Sequence, residues 1–373
     1  MLQLQSNITR QRQQLYQNMQ QDEALSILND FNEILQSEVY VDLERLRILA
    51  RRGIPTELRG EVWKFLLGVE QADRSKELTS SKARSEEYDQ IDKTDPDLAR
   101  KVRGEVSRYQ SRTPELVGKH YAERFTNIIT AFLNTNRDVE YHPALVTLSA
   151  PFIYALEKEC DAYFCFERLM QAIEDEYDTS NTVKEHVANF MTLFRYVLPD
   201  LRNYFEEEEV DLNEFTTSWL QYLLSKEMKF ANLVRLWDSY FSMPDPLEFH
   251  PFVCLAILRN ARENLEDLEQ SEIRTMLLRL PCMDMQPIIA EAYNLRHETM
   301  ERQLFEEIEM QYPEATCHGL LRCTNQTQIQ HRLAAGVSRP YNRDLAACSN
   351  MLQILESLRN GQGIPQRFQR LQQ

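Results

Sequence analysis

The chain has 373 residues, of which 43% are hydrophobic, and its formal net charge at pH 7 is −16. It contains only 9 glycines and 14 prolines, too few turn residues for an all-β protein of this length, so helices are expected to dominate. The negative charge argues against nucleic acid or an anionic membrane as the principal partner, because phosphate groups would be repelled at long range.

The cysteines and the apolar runs further restrict the class of protein to which the chain can belong. Seven cysteines are scattered along the chain without any Cys-x-x-Cys pair, which predicts reduced thiols and neither a disulfide framework nor a zinc site. Cys317, His318 and Cys323 lack the spacing of paired zinc ligands, so no metal is predicted. The longest mostly apolar run, 144–156, is well short of the roughly 20 residues of a membrane span, so we expect a soluble protein without an integral membrane segment.

The first fifty residues are expected to form a helical extension. Residues 1–30 are rich in glutamine, with apolar residues at loosely helical intervals, and a stronger helical pattern continues to Leu35. A solvated extension and a coiled-coil contact both remain open. The coiled coil is less favoured because no heptad repeat is sustained.

The next segment, Arg51 to Val69, reads RRGIPTELRGEVWKFLLGV. Gly53 tolerates a positive φ, and Pro55 suits the first turn of a helix because its φ is fixed near −65°. The apolar residues that then recur at helical spacing are Leu58, Val62, Trp63, Phe65, Leu66 and Leu67. This pattern predicts an amphipathic helix that enters a core.

The rest of the chain alternates between polar and strongly apolar stretches. Residues 71–98 contain few large apolar side chains, and we expect an exposed connection there. Core helices are predicted from the string YHPALVTLSAPFIYAL at 141–156, from a helical stripe that ends at Pro199, and from the string ANLVRLWDSYFSM at 231–243. Beyond residue 298 the chain becomes rich in glutamine and arginine, which favours a helical extension and a loose tail.

The strings at 51–69, 141–156 and 231–243 resemble, in order and spacing, the landmarks of the TBC domain. This is the all-helical GTPase-activating domain that acts mainly on Rab GTPases. Its landmarks are R-G-I-P…L-R-x-x-V-W-x-x-L-L-G, Y-x-Q-G-M-x-x-L-x-A-P-x-x-Y, and a late Trp followed by L-x-x-(L/I)-W-D. The resemblance implies an all-α fold, with a helical extension over 1–50, a TBC-like domain over 51–298, and a helical extension and tail over 299–373.

The resemblance also implies a chemistry. In the family, an arginine from I-x-x-D-x-x-R compensates the charge that develops on the transferred phosphoryl group, an effect worth ~10³ to 10⁵ in rate. The string Val102-x-x-Glu105-x-x-Arg108 matches this motif best, so Arg108 is the candidate arginine finger. A second register ends at Arg112 and places Tyr109 where the acid belongs. An ordinary surface role for Arg108 also remains open.

The second catalytic group of the family is missing from this chain. A glutamine from Y-x-Q normally orients the attacking water, but Tyr141-His142-Pro143 has proline at that position, and Ala144 and Leu145 replace the Gly-Met that follows. Proline has neither a side-chain amide nor a backbone N–H with which to orient a water. His142 is better interpreted as a packed or solvated side chain than as a substitute.

By this resemblance, Glu105, Tyr141, His142 and Pro143 are expected to line a groove that binds the GTPase. The leading hypothesis is an adaptor or scaffold in membrane-traffic regulation that binds a Rab-type or related small GTPase with weak or absent GAP activity. One alternative is an active GAP that uses Arg108 alone. Another is a structural subunit of a larger complex, assembled through the terminal extensions without GTPase contact.

The surroundings of Arg108 separate the first two hypotheses. An exposed guanidinium in an open groove beside Tyr141 favours the enzyme, whereas an arginine tied to acidic neighbours inside the domain favours the scaffold. No nucleotide-binding, hydrolase or zinc-protease motif is present, so no cofactor is predicted. We expect a cytoplasmic protein that reaches membranes only through a partner.

Overall fold

Helices account for the regular structure of the described residues, apart from one isolated bridge between Tyr40 and Asp73. The computed structural model describes residues 23–178 and 183–311. The all-α prediction is therefore confirmed. The glutamine-rich lead-in before residue 23 and the predicted tail after residue 311 lie outside the described residues.

The α-helices follow one another along the chain with short connections. In order they are α1 (23–35), α2 (Leu43–Ala50), α3 (Arg59–Leu66), α4 (Glu77–Gln90), α5 (Pro96–Gln110), α6 (Lys119–Thr135), α7 (Ala144–Ala155), α8 (Glu159–Asp178), α9 (Val183–Val197), α10 (Pro199–Glu207), α11 (Leu212–Gln221), α12 (Phe230–Phe241), α13 (Pro246–Leu265), α14 (Gln270–Leu278) and α15 (Met285–Gln311). Short 3-10 turns lie at Arg74–Lys76 and Pro114–Leu116.

The chain divides into two compact units, Met1–Ala292 and Tyr293–Gln373. The helices α1 to α14 and the start of α15 belong to the first unit, which holds the core and the site described below. The domain boundaries predicted at residues 51 and 298 stay a prediction. None of the helices in the described ranges combines the length and the apolar character that a membrane span requires.

Residues 71–98 are largely exposed, as expected, but they are more than a connection, because α4 occupies half of them. This helix has almost no apolar stripe, and Tyr88 is its one buried residue. Polar contacts hold it instead. The guanidinium of Arg84 donates to the carbonyl of Val69 at 2.9 Å and forms an ion pair with buried Glu70, and the Tyr88 hydroxyl donates to Glu159 at 2.8 Å. Apolar periodicity could not reveal a helix that is anchored in this way.

The Gly-Ile-Pro turn precedes α3 rather than opening it. Gly53 has a φ of 106°, as its residue type allows, and the helix begins at Arg59 with Leu58 as N-cap, so Pro55 lies in the turn. Gly60 is required for a different reason. A Cβ at this position would lie 2.2 Å from the carbonyl oxygen of Ala155, so glycine lets α3 approach the end of α7.

A single buried carboxylate links the first and last landmarks. Asp238 on α12 is fully buried and accepts hydrogen bonds from the backbone N–H of Ile54 at 3.1 Å, the indole of Trp63 at 2.9 Å and the guanidinium of Arg59 at 3.0 Å. The same guanidinium donates to the Ile54 carbonyl at 2.7 Å. Burial raises the pKa of Asp238, and the charge and hydrogen bonds of Arg59 work against that rise.

The three tryptophans form part of the core, as predicted from their apolar stripes. Trp63, Trp219 and Trp237 are each at most 1% exposed. Phe152 on α7 lies between two of them, with ring centroids 5.7 Å from Trp63 and 5.6 Å from Trp237. This aromatic cluster joins α3, α7 and α12, the helices that carry the three sequence landmarks.

A second buried polar chain joins α11, α12 and α13. The carbonyl of Trp219 can only accept, so the Nε2 of His250, 2.8 Å away, donates to it. The Nδ1 of His250 then accepts from the hydroxyl of Tyr240. Burial lowers the pKa of His250 to about 4, and the imidazole is therefore neutral in the folded protein.

We expect Trp237→Ala to lower the free energy of unfolding by about 3–5 kcal/mol, because it leaves a cavity at the centre of the aromatic cluster. Urea denaturation followed by circular dichroism measures the loss. Tyr196→Ala is the matched control, since Tyr196 is 41% exposed and should change stability little. A Trp237→Ala loss no larger than that of the control would contradict the packing described here.

Acidification should weaken the fold through His250. The unfolded imidazole binds a proton near pH 6.5 and the folded one near pH 4, so the unfolded state binds more protons between these values and stability falls as pH drops through them. The shift corresponds to about 3 kcal/mol. Chemical denaturation at several pH values should show a shallower acid loss for His250→Gln than for the parent. His120→Gln, at an exposed position, should retain the parent slope.

Candidate functional site

Helix α5 presents the candidate finger on its solvent face. Asp95 caps the helix by accepting from the backbone N–H of Leu98 at 2.9 Å, and Pro96 occupies the first turn. Val102 and Val106 are buried, so the turn that carries Glu105 and Arg108 faces away from the core. Arg108 belongs to the last turn, where a cation interacts favourably with the helix dipole.

The Arg108 guanidinium is exposed and is paired with one acid on its own helix. Its Nε donates to Glu105 at 3.1 Å, with the Arg108 side chain 66% exposed and that of Glu105 22% exposed. The hydrogen bond and charge of Glu105 raise the pKa of Arg108. Burial and the nearby Glu105 charge raise the pKa of Tyr141, while Arg108 opposes this rise, so these three side chains share one environment.

Arg108 lines an open groove with a volume of about 510 Å³. Its walls come from the end of α5, the start of α7, the connection between α11 and α12, and α14. The lining residues are Glu105, Arg108, Tyr109, Arg112, Thr113, Pro143, Ala144, Thr147, Ser225, Lys226, Glu227, Met228, Lys229, Phe230, Arg274, Thr275, Leu278 and Arg279. The structure thus brings Glu105, Arg108 and Pro143 together at one surface.

Pro143 stands at the N-cap of α7, with φ −59° and ψ −24°. These angles are helical, and no side chain caps the helix. Tyr141 and His142 are half-buried beside the groove and are not among its lining residues. The His142 ring lies 5.6 Å from the ring of Tyr222, and burial, followed by the charge of Lys226, lowers its pKa. His142 is therefore a half-buried side chain that packs near Tyr222 beside the groove.

The alternative register for the finger ends in the same groove. Arg112 follows the C-cap of α5 and is exposed. The structure therefore brings both candidate arginines to one surface, and the choice between Arg108 and Arg112 remains a prediction.

The groove wall formed by the connection between α11 and α12 was not predicted from the sequence. Leu223 and Leu224 both have positive φ, 50° and 62°, which is strained for leucine and reverses the chain between α11 and α12. The reversal places Ser225 2.8 Å from the hydroxyl of Thr147 on α7. It also presents the string Ser-Lys-Glu-Met-Lys, residues 225–229, to the groove. The sequence did contain one signal for this wall, namely the two lysines of this string, which lie between two core helices.

The groove is cationic although the chain is acidic. Six arginine and lysine residues line it against two carboxylates, Glu105 and Glu227. Glu227 is 4% exposed, and burial raises its pKa, whereas Glu105 is paired with Arg108. No group of three or more His, Cys, Asp or Glu side chains within 23–178 and 183–311 is arranged to hold a metal ion. The arrangement suits an anionic partner.

A comparison with known protein families identifies the family to which the chain belongs. The sequence profile of the Rab-GTPase-TBC domain matches residues 56–266, more than half of the chain. The chain belongs to this family. The matched range contains Arg59, Trp63 and Asp238, as well as the groove residues of α5, of α7 and of the connection between α11 and α12.

Similar proteins agree with this TBC assignment. The chain is 25% identical over 303 residues to the GTPase-activating protein gyp1 of Schizosaccharomyces pombe, covering 70% of this chain and 58% of that protein. It is 24% identical over 310 residues to TBC1 domain family member 22B of Homo sapiens, covering 72% and 61% respectively. The chain thus spans about three fifths of the length of these relatives.

Solved structures agree on the fold. The crystal structure of the Ypt/Rab-GAP domain of Gyp1p superimposes with a TM-score of 0.62 at 22% identity, covering 72% of this chain and 97% of that one. The Chlamydomonas flagellar RabGAP TBC domain gives a TM-score of 0.55 at 20% identity, covering 74% and 96%. At these identities the likeness establishes the fold alone.

Proposed function

We propose that this TBC domain binds a Rab-type or related small GTPase in the Arg108 groove, chiefly as an adaptor or scaffold with weak or absent GAP activity. Its setting is membrane-traffic regulation in the cytoplasm, with membranes reached through the partner and the terminal extensions available for complex formation. The family membership and the names of its relatives support a GTPase partner.

The observation that carries the weak-activity proposal is Pro143. This residue occupies the position of the family glutamine, and it also serves as the N-cap of α7 with helical φ and ψ. Both the missing amide and the local backbone work against water orientation. A partner GTPase would have to orient the attacking water with its own side chain.

One observation favours the second candidate function, a GAP with a single arginine finger. The Arg108 guanidinium is 66% exposed at the groove and lies close enough to Tyr141 to affect its pKa. Its acidic partner, Glu105, is on the same helix and not inside the core, so the pair can open when a GTPase docks. This exposure supports Arg108 as the arginine half of the mechanism, whereas proline at position 143 offers no amide for the glutamine half.

Arg108→Ala distinguishes the two functions. A screen against nucleotide-loaded small GTPases first identifies a binding partner, and single-turnover GTP hydrolysis is then measured at saturating TBC protein. We expect the parent to accelerate hydrolysis by less than about tenfold, and Arg108→Ala to leave both the rate and the binding nearly unchanged. Arg112→Ala tests the second register, and Arg100→Ala, 79% exposed on the same helix, is the control.

A larger acceleration by the parent that vanished in Arg108→Ala, with binding retained, would instead establish the single-finger GAP. The finger acts on charge that develops only in the transition state, so its removal should affect the rate and spare the affinity.

Restoring the amide alone should not restore activity. Pro143→Gln supplies the missing side chain, but Ala144 and Leu145 also differ from the family Gly-Met, and the helix start must change with them. We expect a rise in stimulated hydrolysis well under a hundredfold in the same assay. A rise of a hundredfold or more would mean that the site is intact except for one residue, and the adaptor proposal would be wrong.

A further inference from the structure

Four cations of the groove form no ion pair within the described residues, although the charge of Lys226 acts on the buried carboxyl of Glu227. Arg108 is paired with Glu105, and Arg274 is paired with Glu214 through its Nε at 2.6 Å. The remaining cations that line the groove are Arg112, Lys226, Lys229 and Arg279, called here the cationic rim. All four are exposed, and no carboxylate in 23–178 or 183–311 forms an ion pair with any of them.

Helix stability does not explain the presence of Lys229 in the rim. Lys229 is the N-cap of α12, where a positive charge meets the positive end of the helix dipole and where Ser, Thr, Asp or Asn would stabilise the helix. Lys226 follows the strained leucine pair, and its Nζ lies 4.9 Å from the centroid of the Tyr222 ring, which holds it at the groove. Arg279, the C-cap of α14, and Arg112, which follows α5, are better placed for their helix dipoles.

We infer that the cationic rim binds an acidic segment on the surface of the GTPase partner, and that Lys226 and Lys229 select partners that carry such a segment. The inference rests on the proposed function, because it assigns the partner chemistry of the same groove. Binding would supply ion-pair partners that the rim cations do not have among residues 23–178 and 183–311. Partners with a basic or neutral surface at that position would leave the rim uncompensated.

The nucleotide bound to the GTPase does not account for the four cations of the rim. A GTPase encloses its nucleotide, and a partner reaches the transferred phosphoryl group with one arginine finger. Arg108 or Arg112 could fill that role, and the other cations would still face the protein surface of the GTPase. A lipid surface also fits poorly, because the rim lines a concave groove. In addition, a broad anionic membrane would repel a chain whose net charge is −16.

The test uses the GTPase identified by the binding screen and compares two double variants of the full chain. Lys226→Glu/Lys229→Glu reverses the rim, and Lys82→Glu/Lys119→Glu makes the same change in net charge at exposed lysines outside the groove. Far-UV circular dichroism and melting temperature first establish that both variants are folded. Dissociation constants are then measured at about 50 mM and 200 mM salt, where exposed charge interactions differ in screening.

We expect the rim variant to weaken binding at least tenfold at low salt and to lose most of its salt dependence, while the control variant stays within about twofold of the parent. A carbodiimide cross-linker, which joins amines directly to carboxylates, should link Lys226 or Lys229 to Asp or Glu of the GTPase. Charge reversal of that acidic residue to lysine should restore binding to the rim variant.

Other results overturn the inference in distinguishable ways. Equal effects of the two double variants would indicate general electrostatics, and unchanged affinity of the rim variant would indicate that the rim makes no contact. Binding to vesicles containing phosphatidylserine that depends on Lys226 and Lys229 would assign the rim to a membrane. If no GTPase bound the parent, the proposed function would fail and this inference with it. If the parent bound and the rim were irrelevant, only this inference would fail.

Discussion

The fold depends on the buried carboxylate of Asp238. A carboxylate without exposure is costly unless its oxygens are filled with donors, and here those donors come from two segments more than 170 residues away in the sequence. The Gly-Ile-Pro turn supplies the N–H of Ile54, and α3 supplies Arg59 and Trp63. Removing one partner of a buried ion pair generally costs about 3–5 kcal/mol, so the spacing of these residues is tightly constrained.

This constraint also positions the groove. Fixing α3 against α12 places Trp63 and Trp237 on either side of Phe152, and Gly60 lets α3 reach the carbonyl of Ala155. Both contacts belong to α7, whose other end carries Pro143. The start of α12 in turn carries Lys229. Two of the groove walls are therefore set by the same network that determines the fold.

The sequence predicted the features that depend on apolar periodicity and on short motifs with fixed geometry. The all-α fold and the burial of the three tryptophans followed from helical stripes. Helix α4 was missed because ion pairs and hydrogen bonds, rather than an apolar face, hold it in place. The wall at residues 225–229 was missed because it depends on two leucines with positive φ, a conformation that their residue type does not indicate.

The same distinction between short motifs and folded arrangement applies to the predictions about the site. The motif register brought Glu105, Arg108 and Pro143 to one groove, because α5 ends there and α7 begins there. His142 turned toward Tyr222, since a side chain next to the motif position follows the helix start and not the groove. The clustering of cations from walls that are distant in sequence cannot be read from any one wall alone. It required the folded arrangement of α5, α14 and the α11–α12 connection.

Charges are treated in opposite ways in the core and around the groove of this domain. In the core, Asp238 is surrounded by donors, and the guanidinium of Arg84 on α4 is matched with the buried carboxylate of Glu70. Around the groove, exposed cations remain unmatched, one of them at the unfavourable end of a helix dipole. Proteins generally tolerate such local costs where another molecule will offset them, so we propose that partner choice resides in the groove and not in the buried landmark residues.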